Sequence, residues 1–111
     1  MKVFISQLMR GKSDEEILKE RNEIISLLKE RHGEDVEILD SFFEDYVPSP
    51  SVKEDRIGLK YLSKSLEILA DADLVVFAPG YKEARGCLIE YECARSYGIP
   101  IDFQMIAEDE I

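Results

Sequence analysis

Basic residues, histidine and cysteine are scarce in this sequence, and each shortage excludes a class of function. Fourteen lysines and arginines stand against 24 aspartates and glutamates, which gives a formal net charge of −10. Most of such a surface repels a nucleic-acid polymer, because polymer binding depends on basic contacts to phosphate. We therefore expect no nucleic-acid partner, whereas a small anionic ligand needs only one local positive site.

The residues that bind metals are too few for a metal site. His32 is the single histidine, and the two cysteines are not a pair at zinc spacing. Cys87 and Cys93 are six residues apart in a predicted helix, which places them on different faces and disfavours an internal disulfide. We therefore expect no metal and no cofactor, and the reduced thiols indicate a cytoplasmic protein.

Long apolar runs are also absent. No window approaches the ~18 apolar residues that a membrane span needs, so we expect no membrane partner. The short apolar run at residues 1–5 is followed closely by the charged stretch at residues 10–16, a pattern that does not indicate a secretory signal.

What the sequence does contain is a regular alternation of strand and helix patterns. Its 111 residues have room for one domain, residues 1–111, with one core. The order predicts an α/β fold of the flavodoxin or Rossmann type: a three-layer α/β/α sandwich around a mainly parallel sheet of four to five strands. Apolar runs predict strands at 2–5, 36–39, 74–78 and 99–103, and helical spacing predicts helices at 13–32, 57–70 and 84–97.

The first predicted helix has a clear beginning and end. Ser13 followed by Glu16 predicts a capping box at its start, and His32-Gly33 predicts its end. Apolar residues recur on one side of the helix and predict the stripe that faces the core. The residues of this stripe are Ile17, Leu18, Ile24, Ile25 and Leu28.

Polar segments follow the predicted strands. In parallel α/β sheets ligands bind at the carboxyl ends of the strands, where residues 6–12, 40–56 and 79–86 are expected to meet. The first segment contains Arg10 and a glycine, so it is either an anion site or an ordinary strand–helix connection. Aromatic residues of the second segment either stack on a base or form the core of their own loop. These aromatic residues are Phe42, Phe43 and Tyr46.

The last predicted helix contains the strongest candidate for chemistry. Gly86, Glu90 and Ala94 are spaced four apart and share one face of this helix, and Tyr97 lies beside that face. Burial raises the pKa of a carboxyl group packed there, the helix dipole lowers it, and the carboxylate can attack an electrophilic sugar carbon. The alternative is a helix-terminal glutamate that caps the helix or pairs with Arg85.

Four segments together resemble a known superfamily. They are Lys-Val-Phe-Ile-Ser-Gln-Leu-Met-Arg-Gly-Lys at residues 2–12, Ala-Asp-Leu-Val-Val-Phe-Ala-Pro-Gly at 72–80, Arg-Gly-Cys-Leu-Ile-Glu-Tyr-Glu-Cys-Ala at 85–94 and Gly-Ile-Pro at 98–100. In this order, and over nearly the whole chain, they resemble the nucleoside 2-deoxyribosyltransferase superfamily. The resemblance is closer to its small phage and bacterial branch of deoxyribosyltransferase-like proteins of unknown function.

The resemblance implies a ligand, an assembly and a set of site residues. The ligand is a small-molecule nucleoside or nucleotide, with Glu90 as the nucleophile on the sugar C1′. Superfamily members commonly complete their sites across a dimer interface, so we expect a homodimer or a higher homo-oligomer. Ser6, Arg10 and Gly11 are similar to a first loop that binds phosphate. The residues expected to bind the substrate are Ser6, Gln7, Met9, Arg10, Gly11, Tyr46, Pro79, Gly80 and Gly86.

The sequence departs from the superfamily pattern at two positions. Active members carry an aspartate 25 residues before the nucleophile that assists the leaving base, and Ser65 occupies this position here as the second candidate catalytic residue. Transferases carry an acid six residues before the nucleophile, where this chain has Ala84 with Glu83 adjacent. The acids that remain open as replacements are Asp40, Glu44, Asp45 and Glu83. Asp73, at the start of a strand, is interpreted as structural.

Three functions are compatible with these features. We favour an enzyme of the N-glycosidic bond, of the 2-deoxyribosyltransferase or deoxynucleoside monophosphate N-hydrolase type. The alternative is a catalytically inactive nucleotide-binding or signalling module of the same fold, which Ser65 favours. A purely structural interaction protein explains the fold but neither Glu90 nor Arg10.

Overall fold

The apolar runs of the sequence form the strands of a parallel sheet, and the amphipathic segments between them form helices. The computed structural model describes residues 1–39 and 56–102, and within these ranges it contains four strands and three α-helices. None of these helices is long and apolar enough to cross a membrane. In chain order the elements are β1 (Lys2–Ser6), α1 (Asp14–His32), β2 (Glu37–Leu39), α2 (Ile57–Leu69), β3 (Leu74–Phe77), α3 (Arg85–Ser96) and β4 (Ile101–Asp102).

The strand order of the sheet is β2-β1-β3-β4, and every neighbouring pair is parallel. The chain runs from β1 to β2 on one side and then returns to the other side of β1 to form β3. Ser6, the last residue of β1, lies in register with Phe77, the last residue of β3. The direction of winding therefore reverses between β1 and β3, and ligands of open α/β sheets bind outside the carboxyl ends of the strands at such a point.

Helices cover both faces of the sheet, so the expected three-layer α/β/α sandwich is confirmed. Val75 and Val76 are both completely buried in β3, and they belong to different hydrophobic clusters because successive strand residues point to opposite faces. On one face Leu28 of α1 packs against the sheet, and on the other Leu69 of α2 and Ala94 of α3 do so.

The predicted capping box of α1 is confirmed. The Ser13 hydroxyl accepts a hydrogen bond from the Glu16 backbone N–H at 3.1 Å, and the Glu16 carboxylate accepts one from the Ser13 backbone. The helix ends at Gly33, whose φ of 99° suits glycine. One prediction for the buried stripe is wrong, because Leu18 is 37% exposed. Arg21 is buried instead, and its guanidinium donates a hydrogen bond to the Leu39 carbonyl at 3.0 Å.

Other sequence predictions differ from the structure at their edges. The strand predicted at 99–103 forms only at Ile101–Asp102, and residue 103 lies outside the described residues. Tyr97, expected beside the packed face of α3, is 85% exposed because the helix has ended at Ser96 and the chain turns there. Asp73 is structural as interpreted, since its carboxylate accepts a 2.8 Å hydrogen bond from the Lys2 backbone N–H and joins the starts of β3 and β1.

Candidate functional site

A cleft of about 930 Å³ opens at the carboxyl ends of β1 and β3, where the winding of the sheet reverses. Its walls come from the chain that follows β1, from one side of α2, and from the start of α3. Both apolar and charged side chains line it, which is typical of a site for a small polar molecule. The described residues that line it are Ile5, Gln7, Leu8, Met9, Arg10, Arg56, Gly58, Leu59, Tyr61, Leu62, Ser65, Glu83, Ala84, Arg85, Gly86, Cys87, Ile89 and Glu90.

Glu90 lines this cleft from the buried face of α3 and is only 6% exposed. The Ser6 hydroxyl, at the end of β1, donates a hydrogen bond to Glu90 Oε1 at 2.7 Å. Burial raises the pKa of the Glu90 carboxyl from 4.5 to about 7, and the Ser6 hydrogen bond opposes part of that effect. Both the protonated and the ionised form are therefore populated near neutral pH, which allows the carboxyl group to act as a nucleophile or to exchange a proton.

The alternative for Glu90, pairing with Arg85, does not occur in the described part of the chain. The carboxylate bonds to Ser6, and the four ion pairs that join two described residues include neither Glu90 nor Arg85. Glu92, two residues further along α3, is exposed and pairs with Arg95 on the outer face. The helix thus directs one carboxylate into the cleft and the other into solvent, as its periodicity predicts.

Three of the six arginines converge on the cleft. Arg10 comes from the turn after β1, Arg56 immediately precedes α2, and Arg85 is the first residue of α3. No ion pair or side-chain hydrogen bond joins any of the three to another residue in the ranges 1–39 and 56–102. The other three arginines have partners away from the cleft: Arg21 bonds the Leu39 carbonyl, Arg31 pairs with Asp102 and Arg95 pairs with Glu92.

Gln7 is held in the wall of the cleft by α1. Its side-chain Nε2 donates hydrogen bonds to the Ile17 carbonyl at 2.8 Å and to Glu20 Oε1 at 2.9 Å, and Glu20 is also paired with Lys12 at 3.3 Å. The amide oxygen of Gln7 is buried and has no hydrogen-bond partner within the described residues. Such an atom is costly to leave unpaired.

Cys87 lies beside Ser6 and Glu90, but its thiol is not activated as a nucleophile. Burial and the neighbouring Glu90 raise the pKa of its thiol from 9.0 to about 11, against the effect of the Ser6 hydroxyl. The thiol is therefore neutral at physiological pH, and its contribution is packing in the core cluster of α3.

Most of the residues predicted for the site meet at the cleft. Those that line it are Gln7, Met9, Arg10, Ser65, Gly86 and Glu90. Ser6 is buried and does not line the cleft itself, but its hydroxyl bonds to the Glu90 carboxylate, which does. Tyr46 lies outside the described residues, as do Phe42, Phe43, Asp40, Glu44 and Asp45.

Besides Ser6, three predicted substrate-binding residues do not line the cleft: Gly11, Pro79 and Gly80. Gly11 and Gly80 have φ angles of 82° and 88°, a left-handed conformation that glycine adopts without strain. Gly80 opens the short 3-10 turn at Tyr81–Glu83 that leads into α3. The turns themselves therefore account for glycine at these positions, whether or not a ligand is bound.

The sequence reasoning missed Arg56 and assigned Arg85 only to a pair with Glu90. A signal for both was present at the starts of their helices. Neither α2 nor α3 has a side-chain cap at its N-terminus, and neither has an acidic residue in its first turn. Ser, Thr, Asp or Asn usually occupies the capping position, and acids usually favour the first turn, so an arginine at such a place is unusual.

Comparison with known proteins gives a family and no established activity. Neither the curated proteins nor the solved structures contain a match to this chain. The family model described as "Domain of unknown function (DUF4406)" matches residues 1–103, nearly the whole chain. The chain therefore belongs to the DUF4406 family.

Proposed function

We propose that this protein is an enzyme of the N-glycosidic bond that acts on a nucleoside or nucleotide, with Glu90 as nucleophile on the sugar C1′. The observation that carries the proposal is the Glu90 carboxyl group: buried, bonded by Ser6, and lining a cleft where the winding of a parallel sheet reverses. The resemblance of residues 85–94 to the nucleoside 2-deoxyribosyltransferases supports the same assignment.

The hydrogen bond from Ser6 organises the first step. It engages Oε1 of Glu90 and so leaves Oε2 to form a bond to C1′. As this bond forms, the bond between C1′ and the base nitrogen breaks, and its electron pair leaves with the base, which takes up a proton. Water or a second base then attacks C1′ and releases Glu90 as a carboxylate, as in glycosidases that form a covalent intermediate.

We assign the proton for the leaving base to Glu83. Glu83 is the one carboxylate besides Glu90 among the described residues that line the cleft. Ser65 also lines the cleft, but a serine hydroxyl is too weak an acid to take the role of the aspartate expected at that position. A placed general acid contributes roughly 10²- to 10⁴-fold in rate.

Arg10 is assigned to a phosphate group of the substrate. It lines the cleft on the turn that follows β1, and it has no ion-pair partner within the described residues. A guanidinium group binds a phosphate through two parallel hydrogen bonds. This assignment favours a nucleoside monophosphate over a free nucleoside as substrate.

Ser65 supports a second candidate function, an inactive module that binds nucleotides. It stands in the cleft where the resembling enzymes carry the acid that assists the leaving base. A protein of this type keeps the arginines and the pocket but releases no base.

Incubation of the purified chain with deoxynucleosides and their 5′-monophosphates, followed by chromatography for free base, tests the proposal. We expect base release from at least one monophosphate, and Glu90→Gln to reduce it by about 10³-fold or more, because an amide cannot replace the nucleophile. Glu92→Gln, on the outer face of the same helix, is the matched control and is expected to leave the rate unchanged. Binding without base release from any substrate would reject the enzyme and select the inactive module.

The pH dependence of base release gives an independent check. The nucleophile must be ionised, and the pKa of the Glu90 carboxyl is raised to about 7. We therefore expect kcat/KM to fall as the pH is lowered from about 7 to 5, as measured under constant ionic strength, whereas the limb above pH 7 reports the proton of the general acid. A rate that is already level at pH 5 would contradict the role of Glu90.

A further inference from the structure

The cleft contains more unpaired positive charge than a single phosphate group requires. One arginine can hold a phosphate through two hydrogen bonds, yet Arg10, Arg56 and Arg85 all line the cleft. The chain carries a net charge of −10, so acidic partners for these arginines are abundant in its composition. Keeping three guanidinium groups in one cleft without such partners among the described residues favours an anionic ligand there.

Two of the three arginines lie at the start of α2. Arg56 is the residue immediately before this helix. The Nη2 atom of Arg85 lies 4.0 Å from the position that a Cβ atom would take at Gly58, so its guanidinium lies beside the first turn of α2. Arg10 belongs to a different segment, the turn that follows β1. The positive charge of the cleft is therefore supplied from two places.

Gln7, which lines this cleft, also carries a buried polar atom without a partner among the described residues. Gln7 is 6% exposed, and the amide oxygen of its side chain accepts no hydrogen bond from the described residues. Its Nε2 is engaged by the Ile17 carbonyl, and the planar amide turns the oxygen away from that carbonyl. This enclosed oxygen is not part of either phosphate subsite, because an ionised phosphate oxygen cannot donate a hydrogen bond to it.

We infer that the ligand carries two linked phosphate groups: a nucleoside 5′-diphosphate or a longer nucleotide that contains a pyrophosphate. Arg10 binds one phosphate, and Arg56 together with Arg85 binds the other. Such a ligand is larger than a nucleoside monophosphate, and the cleft, with a volume of about 930 Å³, accommodates it. The inference rests on the proposed function for the nucleoside part of the ligand, whereas the two phosphate subsites rest on the arginines alone.

Calorimetric titration of the full-length chain with inorganic pyrophosphate and with inorganic phosphate tests the two subsites. We expect pyrophosphate to bind at least about tenfold more tightly than phosphate, because it engages a second set of charge-assisted hydrogen bonds. Arg56→Gln and Arg85→Gln are each expected to weaken the binding of pyrophosphate by about tenfold. Each is expected to weaken the binding of phosphate by less than about twofold, since phosphate still binds to Arg10. Arg10→Gln is expected to weaken the binding of both anions.

Arg95→Gln is the matched control, because it removes the same charge from α3 at an exposed position away from the cleft. All four substitutions are at exposed residues, so each variant is expected to fold, which circular dichroism verifies. Equal affinity for the two anions, or losses in Arg56→Gln and Arg85→Gln no larger than in Arg95→Gln, would overturn the inference.

A second titration connects the subsites to the nucleoside. Deoxynucleoside 5′-diphosphates are compared with the corresponding monophosphates on the Glu90→Gln variant, which cannot turn over its ligand. We expect at least one diphosphate to bind about tenfold more tightly than its monophosphate; a preference for every monophosphate would overturn the inference. Neither titration depends on turnover, so tight pyrophosphate binding without base release rejects only the enzyme, and base release without the pyrophosphate preference rejects only the second subsite.

Discussion

The two faces of the sheet are built in different ways. On one face α1 has a complete capping box, three acidic residues in its first turn and arginines that are bonded to neighbours. On the other face α2 and α3 begin without side-chain caps, without acids in their first turns, and with arginines that lack described ion-pair partners. Of the three α-helices in residues 1–39 and 56–102, one therefore satisfies its own N-terminus and two do not.

This difference separates the part of the molecule that contributes stability from the part that we propose to bind the ligand. The capping and salt-bridge interactions of α1 each lower the free energy of the folded state. The starts of α2 and α3 forgo such interactions, and Glu90 adds a carboxyl group buried between α3 and β1. Local departures of this kind are typical of functional sites, where stability is lower than the fold would otherwise allow.

The largest expected contrast is between leucines on the two faces. Leu28 of α1 is completely buried, whereas Leu59 of α2 is 61% exposed and lines the cleft. Leu28→Ala is expected to lower the free energy of unfolding by about 2–5 kcal/mol, because it leaves a cavity in the core. Leu59→Ala is expected to change it by less than about 0.5 kcal/mol. Urea denaturation at neutral pH measures both.

Leu28→Val provides a milder version of the first change should the alanine variant be too unstable to purify. It is expected to destabilise in the same direction by a smaller amount. Equal losses for Leu28→Ala and Leu59→Ala would contradict the division between the two faces, because they would place Leu59 in the core.

The pH dependence of stability distinguishes Glu90 from Glu92. The pKa of the Glu90 carboxyl is about 7 in the folded protein and 4.5 in the unfolded chain. Between these two pH values the folded protein therefore holds a proton that the unfolded chain releases. Its contribution to stability is therefore fully present below pH 4.5 and is lost as the pH rises through 7, a change of about 3 kcal/mol by pH 8. Glu90→Gln is expected to remove this decline.

The measurement is the difference in unfolding free energy between pH 5 and pH 8, taken for each variant from urea denaturation. A constant effect of the buried amide cancels in this difference. Glu92→Gln is the control, because Glu92 is exposed and the pKa of its carboxyl is lowered by Arg95 rather than raised. A Glu90→Gln protein with the same decline as the unchanged protein would show that Glu90 is ionised throughout.

Patterns that depend on neighbours along the chain could be predicted from the sequence. The run Leu74–Phe77 is apolar at every position, which predicts a strand covered on both faces, and the pair Ser13 and Glu16 predicts the capping box. The spacing of Glu90 on α3 predicts that it is packed, because a helix repeats every 3.6 residues. Each of these features is fixed by residues a few positions apart.

Features that depend on distant segments could not be predicted in this way. The hydrogen bond between Ser6 and Glu90 joins residues 84 positions apart. The importance of Arg56 and Arg85 lies in the absence of acidic partners among the described residues, which is visible only once the segments are packed. The exposure of Leu18 has a similar cause, since helical periodicity defines the angular position of a residue but not how far the sheet extends beneath it.

The smallest expected effects concern the helix starts themselves. Ser13→Ala removes the cap of α1 and is expected to lower the free energy of unfolding by about 1 kcal/mol. The reverse change on the other face, Ala84→Ser, offers α3 a cap that it lacks. The Ala84 backbone is extended, with φ −109° and ψ 117°, as a capping residue requires, so we expect stabilisation of about 0.5–1 kcal/mol.

Ala84→Ser is also expected to weaken the binding of pyrophosphate. Ala84 lines the cleft, and a serine hydroxyl bonded to the first N–H groups of α3 would compete with an anion for them. Thermal denaturation with and without pyrophosphate measures both effects on one sample, since a ligand that binds only the folded state raises the melting temperature. If Ala84→Ser raised stability and left the pyrophosphate-induced rise in melting temperature unchanged, the uncapped start of α3 would have no role in binding. If both changed together, the missing cap on this face of the sheet would belong to the binding site.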